Sequence, residues 1–336
     1  MDTLPRIFIG GVGRSGTTIL YDAMRTHEQV YALPKEMRLL LDPDGLINLV
    51  DALTYRYSVI QAREAKYRFE RLMKVYFTTP DQAPYRSYDF PAWLGGDYYW
   101  NRLDEFLAAL VDAKYEARLN EIVYERPEGW VSSFFKNLKN PGYREKTAFL
   151  ERKYVEVIKY FPDRQELIAL ARQFIDDLFL HAARQHGKQT WCEKTPHNHL
   201  NLDFLWELFP ESAVILIKRD PRGVALSLLK QHWAPHDLEE VCLYLRNVYQ
   251  RWFDVRSRVD VERRCFIEIK LEDLAEAQED VLQQVMSRLG LSPVFINPPQ
   301  IKPERVNYWR QEMAPSDIQL VNRLLGPYIE RIGYTV

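Results

Sequence analysis

Residues 6–18 of the chain read RIFIGGVGRSGTT. The segment 6–12 predicts a short buried strand that ends in glycines, and 13–27 predicts a helix because its apolar side chains recur on one face. The chain therefore opens as strand, glycine-rich loop and helix. Such a loop presents successive backbone N–H groups and the positive end of a helix dipole to an anion.

The loop contains half of the nucleotide-binding motif GxxxxGK[ST], with Gly11 and Gly16 at the required spacing. Thr17 stands where that motif has its lysine, and Arg14 supplies a cation within the loop instead. Because the lysine is the main contact to β and γ phosphates, the loop fits a phosphate joined to another anionic group better than a magnesium-bound triphosphate. The alternative is a glycine turn that only packs helix against strand, which the sequence Arg-Ser-Gly-Thr-Thr disfavours.

A second strand and helix lie near the middle of the chain. The apolar run 213–217 is typical of a parallel strand buried on both faces, and Asp220 and Pro221 suit the cap and first turn of the next helix. Arg219 ends this strand, and Ser227 follows about 12 Å further along the helix. An arginine and a hydroxyl can bind a second phosphate, although a strand-end ion pair and a tolerated helix serine would also account for them.

Other predicted elements continue the alternation of strands and helices. They are strands at 190–193 and 266–271, a helix at 202–209, a helix that stops at Gly290, and a final helix opened by a capping box at 316–319. This order predicts an α/β protein with a P-loop-like, three-layer fold around a central parallel sheet.

Residues 51–165 interrupt the alternation. The segment is charged, helix-prone and dense in aromatic side chains: Tyr76, Phe77, Tyr85, Tyr88, Phe90, Trp93, Tyr98, Tyr99 and Trp100. We interpret it as a largely helical insertion that covers the functional edge of the sheet. The chain 1–336 is then a single domain, with its core at 1–50 and 166–336. The rings suit recognition of a bound molecule, although for any one ring a place in the core of a helical lid is the better expectation.

The composition excludes several classes of protein. Hydrophobic residues make up 46% and charged residues 27% of 336, and the net charge of −2 provides no basic coat for nucleic acid or an anionic membrane. Three cysteines without CxxC spacing indicate neither a zinc site nor a disulfide framework. No apolar run reaches the roughly 18–20 residues that span a bilayer. We expect a soluble, cytoplasmic protein, and the sequence predicts no particular oligomeric state.

Together, the loop and the pair Arg219 and Ser227 resemble the sulfotransferases that use 3′-phosphoadenylyl sulfate (PAPS). In that family an RSGTT or KSGTT loop binds the 5′-phosphosulfate, and an arginine and a serine eight residues later bind the 3′-phosphate. The arginine form is typical of the tyrosylprotein and carbohydrate branch and of bacterial relatives. The resemblance covers about residues 5–40 and 188–336. It implies transfer of the sulfuryl group of PAPS to a hydroxyl or amine, with release of adenosine 3′,5′-bisphosphate (PAP).

The resemblance also implies roles for individual residues. Those implied to bind PAPS are Gly13, Arg14, Ser15, Gly16, Thr17, Thr18, Arg219, Ser227, Trp309 and Arg310. Lys194, in the segment Glu-Lys-Thr-Pro, matches the lysine that reaches the transferred group, a catalytic role shared with Arg14. Glu36, in Glu-Met-Arg, matches the general base. Leu271 departs from the family pattern, because it replaces a tyrosine often found beside the adenine.

Several alternatives remain at this point. His197 is the second candidate for the base, and His197 with His199 lacks a third ligand for a metal, so we expect none. The acceptor class is a small-molecule alcohol or amine, a sugar or a lipid-like metabolite. A P-loop kinase or nucleotidase would require magnesium and a triphosphate, and a non-catalytic nucleotide-binding module would keep the site without the chemistry.

Overall fold

The computed structural model describes residues 4–79, 88–124 and 147–336, with side chains for all of these except 117–124 and 147–153. The strands are β1 (Ile7–Gly10), β2 (Val30–Ala32), β3 (Thr78–Thr79), β4 (Tyr88–Asp89), β5 (Val111–Tyr124), β6 (Thr147–Ile158), β7 (Thr190–Lys194), β8 (Ala213–Lys218) and β9 (Cys265–Lys270). The α-helices are α1 (Thr17–Arg25), α2 (Leu46–Leu53), α3 (Val59–Arg71), α4 (Phe90–Trp93), α5 (Asp97–Ala109), α6 (Arg164–Gln185), α7 (Leu202–Leu208), α8 (Pro221–Leu229), α9 (Leu238–Arg256), α10 (Leu271–Glu276), α11 (Gln278–Leu289), α12 (Trp309–Glu312) and α13 (Pro315–Arg331).

Five parallel strands form the central sheet in the order β2-β7-β1-β8-β9. The first strand lies in the middle, with Ile7 paired to Cys192 of β7 on one side and to Ala213 of β8 on the other. All five strands therefore end at the same edge, and the loop after β1 lies between the ends of β7 and β8. In such sheets ligands bind at this edge, where the strand order reverses.

Alternate residues of the central strands enter two separate apolar cores. Phe8 packs edge-to-face on Trp191, with ring centroids 5.4 Å apart, in the core that α6, α9 and α13 cover. Ile7 and Ile9 lie in the core on the other face, beneath α1 and α11. Helices cover both faces of a parallel sheet, so the predicted three-layer α/β fold is confirmed.

The insertion is helical at first and then contains two paired antiparallel strands, which differ from the largely helical insertion predicted from the sequence. Helices α2 to α5 precede β5 and β6, which pair antiparallel from Val111 with Ile158 to Tyr124 with Thr147. Rings from this region build its core: Phe77 stacks on Phe90 with centroids 4.2 Å apart, and the Tyr99 hydroxyl donates to the Met73 carbonyl. Tyr85 lies outside the described residues.

Two predicted helix ends are confirmed, and two predicted helix starts are wrong. The helix predicted over 13–27 begins only at Thr17, because residues 13–16 form the loop. Asp220 Oδ1 accepts from the N–H of Arg222 at 3.0 Å, and Gly290 ends α11 with φ +68°. The capping box at 316–319 does not form. Helix α13 begins at Pro315, whose fixed φ suits a first helical position, so Ser316 lies inside the helix and caps nothing. Within the described ranges, no helix is long and apolar enough to cross a lipid bilayer.

Candidate active site

The loop between β1 and α1 is held from both sides. The N–H of Gly11 donates to the Pro196 carbonyl at 2.7 Å, and the Ser15 hydroxyl donates to the Ile217 carbonyl at 2.9 Å. Arg14 has a left-handed backbone with φ +72°. The N–H groups of Arg14, Gly16 and the first residues of α1 donate to no oxygen within the described part of the chain. They remain available to an anion.

Two glycines of the loop are required by close contacts. A Cβ on Gly11 would lie 2.5 Å from the Ile217 carbonyl oxygen. Gly16 combines φ +101° with a position where a Cβ would lie 2.7 Å from Leu271 Cδ1. Leu271 therefore packs against the loop at Gly16. Gly13 differs, because a Cβ there would meet no described atom within 4 Å.

Three candidate residues from separate segments meet at the start of α1. The Lys194 ammonium lies 2.6 Å from Glu36 Oε1 and 3.3 Å from Thr18 Oγ1. Lys194 ends β7, Glu36 lies in the loop after β2, and Thr18 is in the first turn of α1. The Lys194 side chain is only 5% exposed, whereas that of Glu36 is 36% exposed. The arrangement sets a fixed cation and a solvent-accessible carboxylate beside the free N–H groups of the loop.

The second predicted element contacts the first through Arg14. Its guanidinium Nε donates to Ser227 Oγ at 3.1 Å. Arg219 donates to the carbonyls of Arg14 at 3.2 Å and Val306 at 2.7 Å, and its Cζ lies 5.6 Å from the ring centre of Tyr308. Burial lowers the pKa of the Arg219 guanidinium. Arg219 therefore braces the loop, and its buried Nε has no partner in the described chain.

The C-terminal segment packs on the first turn of α8. Trp309 is buried, and its ring centre lies 4.4 Å from Arg222 Cζ and 4.8 Å from the exposed Arg310. A Cβ on Gly223 would lie 2.9 Å from Trp309 Cδ1 and 3.0 Å from Arg219 Nε. Gly223 was missed by the sequence analysis, although a glycine in a helical first turn was a usable signal. The Trp309 indole N–H is also buried without a partner among the described residues.

The family follows from a comparison of the sequence with known proteins. A family model described as the sulfotransferase family matches residues 103–295, which is more than half of the chain. The chain belongs to the sulfotransferase family. The matched range contains Lys194, Arg219 and Ser227, and it begins after the glycine loop and Glu36.

The individual proteins to which this sulfotransferase is similar match it over a short segment or at low sequence identity. The nodulation protein NoeE of Sinorhizobium fredii is 35% identical over 82 residues, which are 24% of this chain and 19% of NoeE. The sulfotransferase domain of the Synechococcus PCC 7002 olefin synthase is 16% identical with a TM-score of 0.46, covering 96% of this chain and 94% of that domain. The sulfotransferase STF9 from Mycobacterium avium is 12% identical with a TM-score of 0.43, covering 100% of this chain and 79% of that one.

The two histidines after Lys194 differ in their surroundings in this sulfotransferase. His199 is fully buried, its Nδ1 lies 2.9 Å from the Pro196 carbonyl, and burial lowers its pKa to about 3. It is a neutral structural side chain. Burial also lowers the pKa of His197, while the Glu36 carboxylate acts in the opposite direction. Across the described residues, no cluster of three or more histidine, cysteine or acidic side chains could hold a metal ion.

Proposed function

We propose that this sulfotransferase moves the sulfuryl group of PAPS to a hydroxyl or amine of a small-molecule, sugar or lipid-like acceptor. The contact of the Lys194 ammonium with both Glu36 and Thr18 carries the proposal. It combines, at a helix N-terminus with free N–H groups, a cation for developing negative charge and a carboxylate for an acceptor proton. These are the two needs of an in-line transfer of an anionic group to a protonated nucleophile.

The residues around the loop fit a bisphosphate. The free N–H groups of the loop suit the 5′-phosphosulfate. On the other side of the loop, Arg14 Nε lies 3.1 Å from Ser227 Oγ. The Nε of Arg219 and the indole N–H of Trp309 are buried nearby and have no acceptor in the described chain. Buried donors without acceptors cost free energy, so an anionic oxygen near them would be favourable. We assign the 3′-phosphate to this side, with Arg310 at its rim.

The chemistry then divides among a few side chains. Bound PAPS supplies an activated sulfuryl group whose transfer needs positioning and preset positive charge more than covalent help. Lys194 and the loop N–H groups provide that charge, and the loss of one such donor costs about 3–4 kcal/mol of barrier. Arg14, to which the family resemblance also gives a catalytic role, has its guanidinium beside Ser227, on the side assigned to the 3′-phosphate. Glu36 removes the proton of the acceptor. His197 is the second candidate for this step.

The position of Lys194 favours PAPS over a magnesium-bound triphosphate. Thr18 occupies the position of the P-loop serine or threonine whose hydroxyl binds Mg²⁺. Here that hydroxyl lies 3.3 Å from the Lys194 ammonium, so a protein cation occupies the neighbouring space. In a kinase, this ammonium would have to move away from Thr18 before magnesium could bind there. A binding module without chemistry would not need a solvent-accessible carboxylate beside the Lys194 ammonium.

The insertion supplies the acceptor side of the site in this proposal. Tyr88 lies beneath the Lys35 ammonium, 5.7 Å from the ring centre, and Lys35 adjoins Glu36. The aromatic insertion 51–165 thus contacts the loop that carries the base, which supports a single domain with a cover over the acceptor. Three free cysteines favour a reducing, cytoplasmic location.

Calorimetry with PAP tests the donor assignment, with ADP plus magnesium as the matched control. We expect tight binding of PAP that needs no metal, and a higher melting temperature, since ligand at about 100 times its Kd adds roughly 2.7 kcal/mol of stability. A screen of alcohols, sugars and amines with radiolabelled PAPS then identifies the acceptor class. Preference for ADP with magnesium would overturn the proposal and every role that depends on it.

A further inference from the structure

A buried carboxylate precedes Lys194 in the sequence and contacts the loop that carries Glu36. Glu193 is 1% exposed. Its Oε1 accepts from the Met37 N–H at 3.2 Å and from the Thr195 hydroxyl at 2.6 Å, and its Oε2 accepts from Asn198 Nδ2 at 2.7 Å. No arginine or lysine donates to it among the described residues. A buried carboxylate held only by neutral donors is costly, so a specific purpose is expected.

These hydrogen bonds hold the loop that carries Glu36. The N–H of Met37 donates to Glu193 directly, and the N–H of Arg38 donates at 3.2 Å to Thr195 Oγ1, which itself donates to Glu193. Arg38 has a left-handed backbone with φ +55°, a conformation that costs roughly 1–2 kcal/mol for a residue with a Cβ. The strained turn persists because its N–H groups are fixed in this way.

We propose that Glu193 is a positioning residue, whose ionised carboxylate fixes the backbone of residues 37 and 38 and thereby holds the Glu36 carboxylate against Lys194. The inference rests on the proposed function, because that function makes Glu36 the base. All three contacts use the Glu193 oxygens as acceptors. A proton on Oε1 would oppose the Met37 N–H, and a proton on Oε2 would oppose the Asn198 amide. All three hydrogen bonds that hold the loop of residues 36–38 therefore form only while Glu193 is charged.

The charge of Glu193 changes near neutral pH. Burial raises its pKa to about 7, while the three hydrogen bonds and Lys194 act in the opposite direction. The titratable and charged groups around it are Lys194 and Cys192 on its own strand, Tyr21 on α1, Glu36 and Arg38 on the loop, and His197 and His199 in the following turn. Burial raises the pKa values of Tyr21 and Cys192 and lowers those of both histidines, so these four are neutral near pH 7.

An NMR titration of the free protein tests the link between Glu193 and the loop. The chain has six methionines, so selective ¹⁵N-methionine labelling gives few signals, and Met37→Leu assigns the one of interest. We expect the Met37 amide to shift with a midpoint near pH 7, and Glu193→Gln to abolish that shift. Glu272→Gln is the matched control, since Glu272 accepts the N–H of Asp220 at 3.0 Å elsewhere. A Met37 signal that is static, or that titrates equally in Glu193→Gln, overturns the proposal.

Turnover with an acceptor from the screen gives the second readout. We expect Glu193→Gln to lower kcat about tenfold or more and to remove the rise of kcat through pH 7, with the Kd of PAP unchanged. Thr195→Val keeps the carboxylate, removes the link to Arg38, and carries the test if the glutamine variant does not fold. Full kcat in both variants overturns the proposal. Failure of the wild-type protein to bind PAP would overturn the proposed function alone, because the Met37 titration does not depend on it.

Discussion

Glu36 and Lys194 form an ion pair whose two members differ in their access to water. The lysine side chain is 5% exposed and the glutamate 36%. A carboxylate in contact with solvent can return a proton to water after each turnover, whereas a shielded ammonium keeps a stronger field at the place where charge develops. This asymmetry suits a base on one side and an electrostatic catalyst on the other.

Glu36→Gln is expected to lower kcat about 100-fold or more, because the amide keeps the shape of the side chain and cannot accept the acceptor proton. The Kd of PAP, measured by calorimetry, should stay within about twofold of the wild-type value. His197→Gln is the companion variant. Normal turnover in Glu36→Gln together with lost turnover in His197→Gln would move the base to His197.

The loop after β1 contains two glycines whose substitution should affect different properties, protein stability at Gly11 and ligand binding at Gly13. Gly11→Ala places a Cβ 2.5 Å from the Ile217 carbonyl oxygen, so we expect a loss of about 1–3 kcal/mol in the free energy of unfolding. Gly13→Ala meets no described atom within 4 Å, so its stability should match the wild type while PAP binds more weakly. Urea denaturation and calorimetry separate the two effects. Equal destabilisation by both variants would contradict this view of the loop.

Ser227 on α8 gives a cleaner test of the 3′-phosphate than Arg219, because Arg219 also braces the loop through the Arg14 carbonyl. Ser227→Ala should weaken the binding of PAP about tenfold and leave that of AMP nearly unchanged, since only PAP carries the second phosphate. Ser316→Ala on the exposed face of α13 is the control. If PAP and AMP weaken equally, the second phosphate lies elsewhere.

Elements with a local signal could be predicted from the sequence. The apolar run 213–217 and the cap at Asp220 each depend on a few neighbouring residues, and both are confirmed, the strand extending one residue further to Lys218. The pairing of β5 with β6 was not predicted, because the charged residues that alternate with apolar ones from Val111 onward are also typical of a helical surface. Ser316 was misplaced because Pro315 starts the helix first.

Across the whole molecule, the site depends on a strand order that no local pattern contains. Strand β7 inserts between β2 and β1, and this alone brings Lys194 to within 2.6 Å of Glu36, 158 residues away in sequence. The resemblance to a family selected both residues, but their contact follows only from the sheet. The role of Glu193 was missed for the same reason, since Met37, the partner that links it to the loop of Glu36, is 156 residues away in sequence.

Stability of the whole chain should depend on His199 below neutral pH. Its pKa is about 3 when folded and near 6.5 in an unfolded chain, so the unfolded state takes up the proton first and stability falls as pH drops from 6.5 towards 3. Glu193 acts in the opposite direction, because its pKa is raised by folding. We expect His199→Gln to lose about 2 kcal/mol less than the wild type between pH 7 and 5. Urea midpoints at both pH values check this, and parallel losses would contradict it.

The positive charge beside Thr18 is covalently part of the protein, as the ammonium of Lys194, and is not a bound metal ion. A magnesium ion can be removed by chelation or dialysis, but the Lys194 amine stays with the protein through both. The vulnerability passes instead to covalent chemistry, because acetylation or carbamylation of one amine would erase the charge. That side chain is 5% exposed, so a reagent should reach the amine slowly, and under the proposed function bound PAP would shield it further.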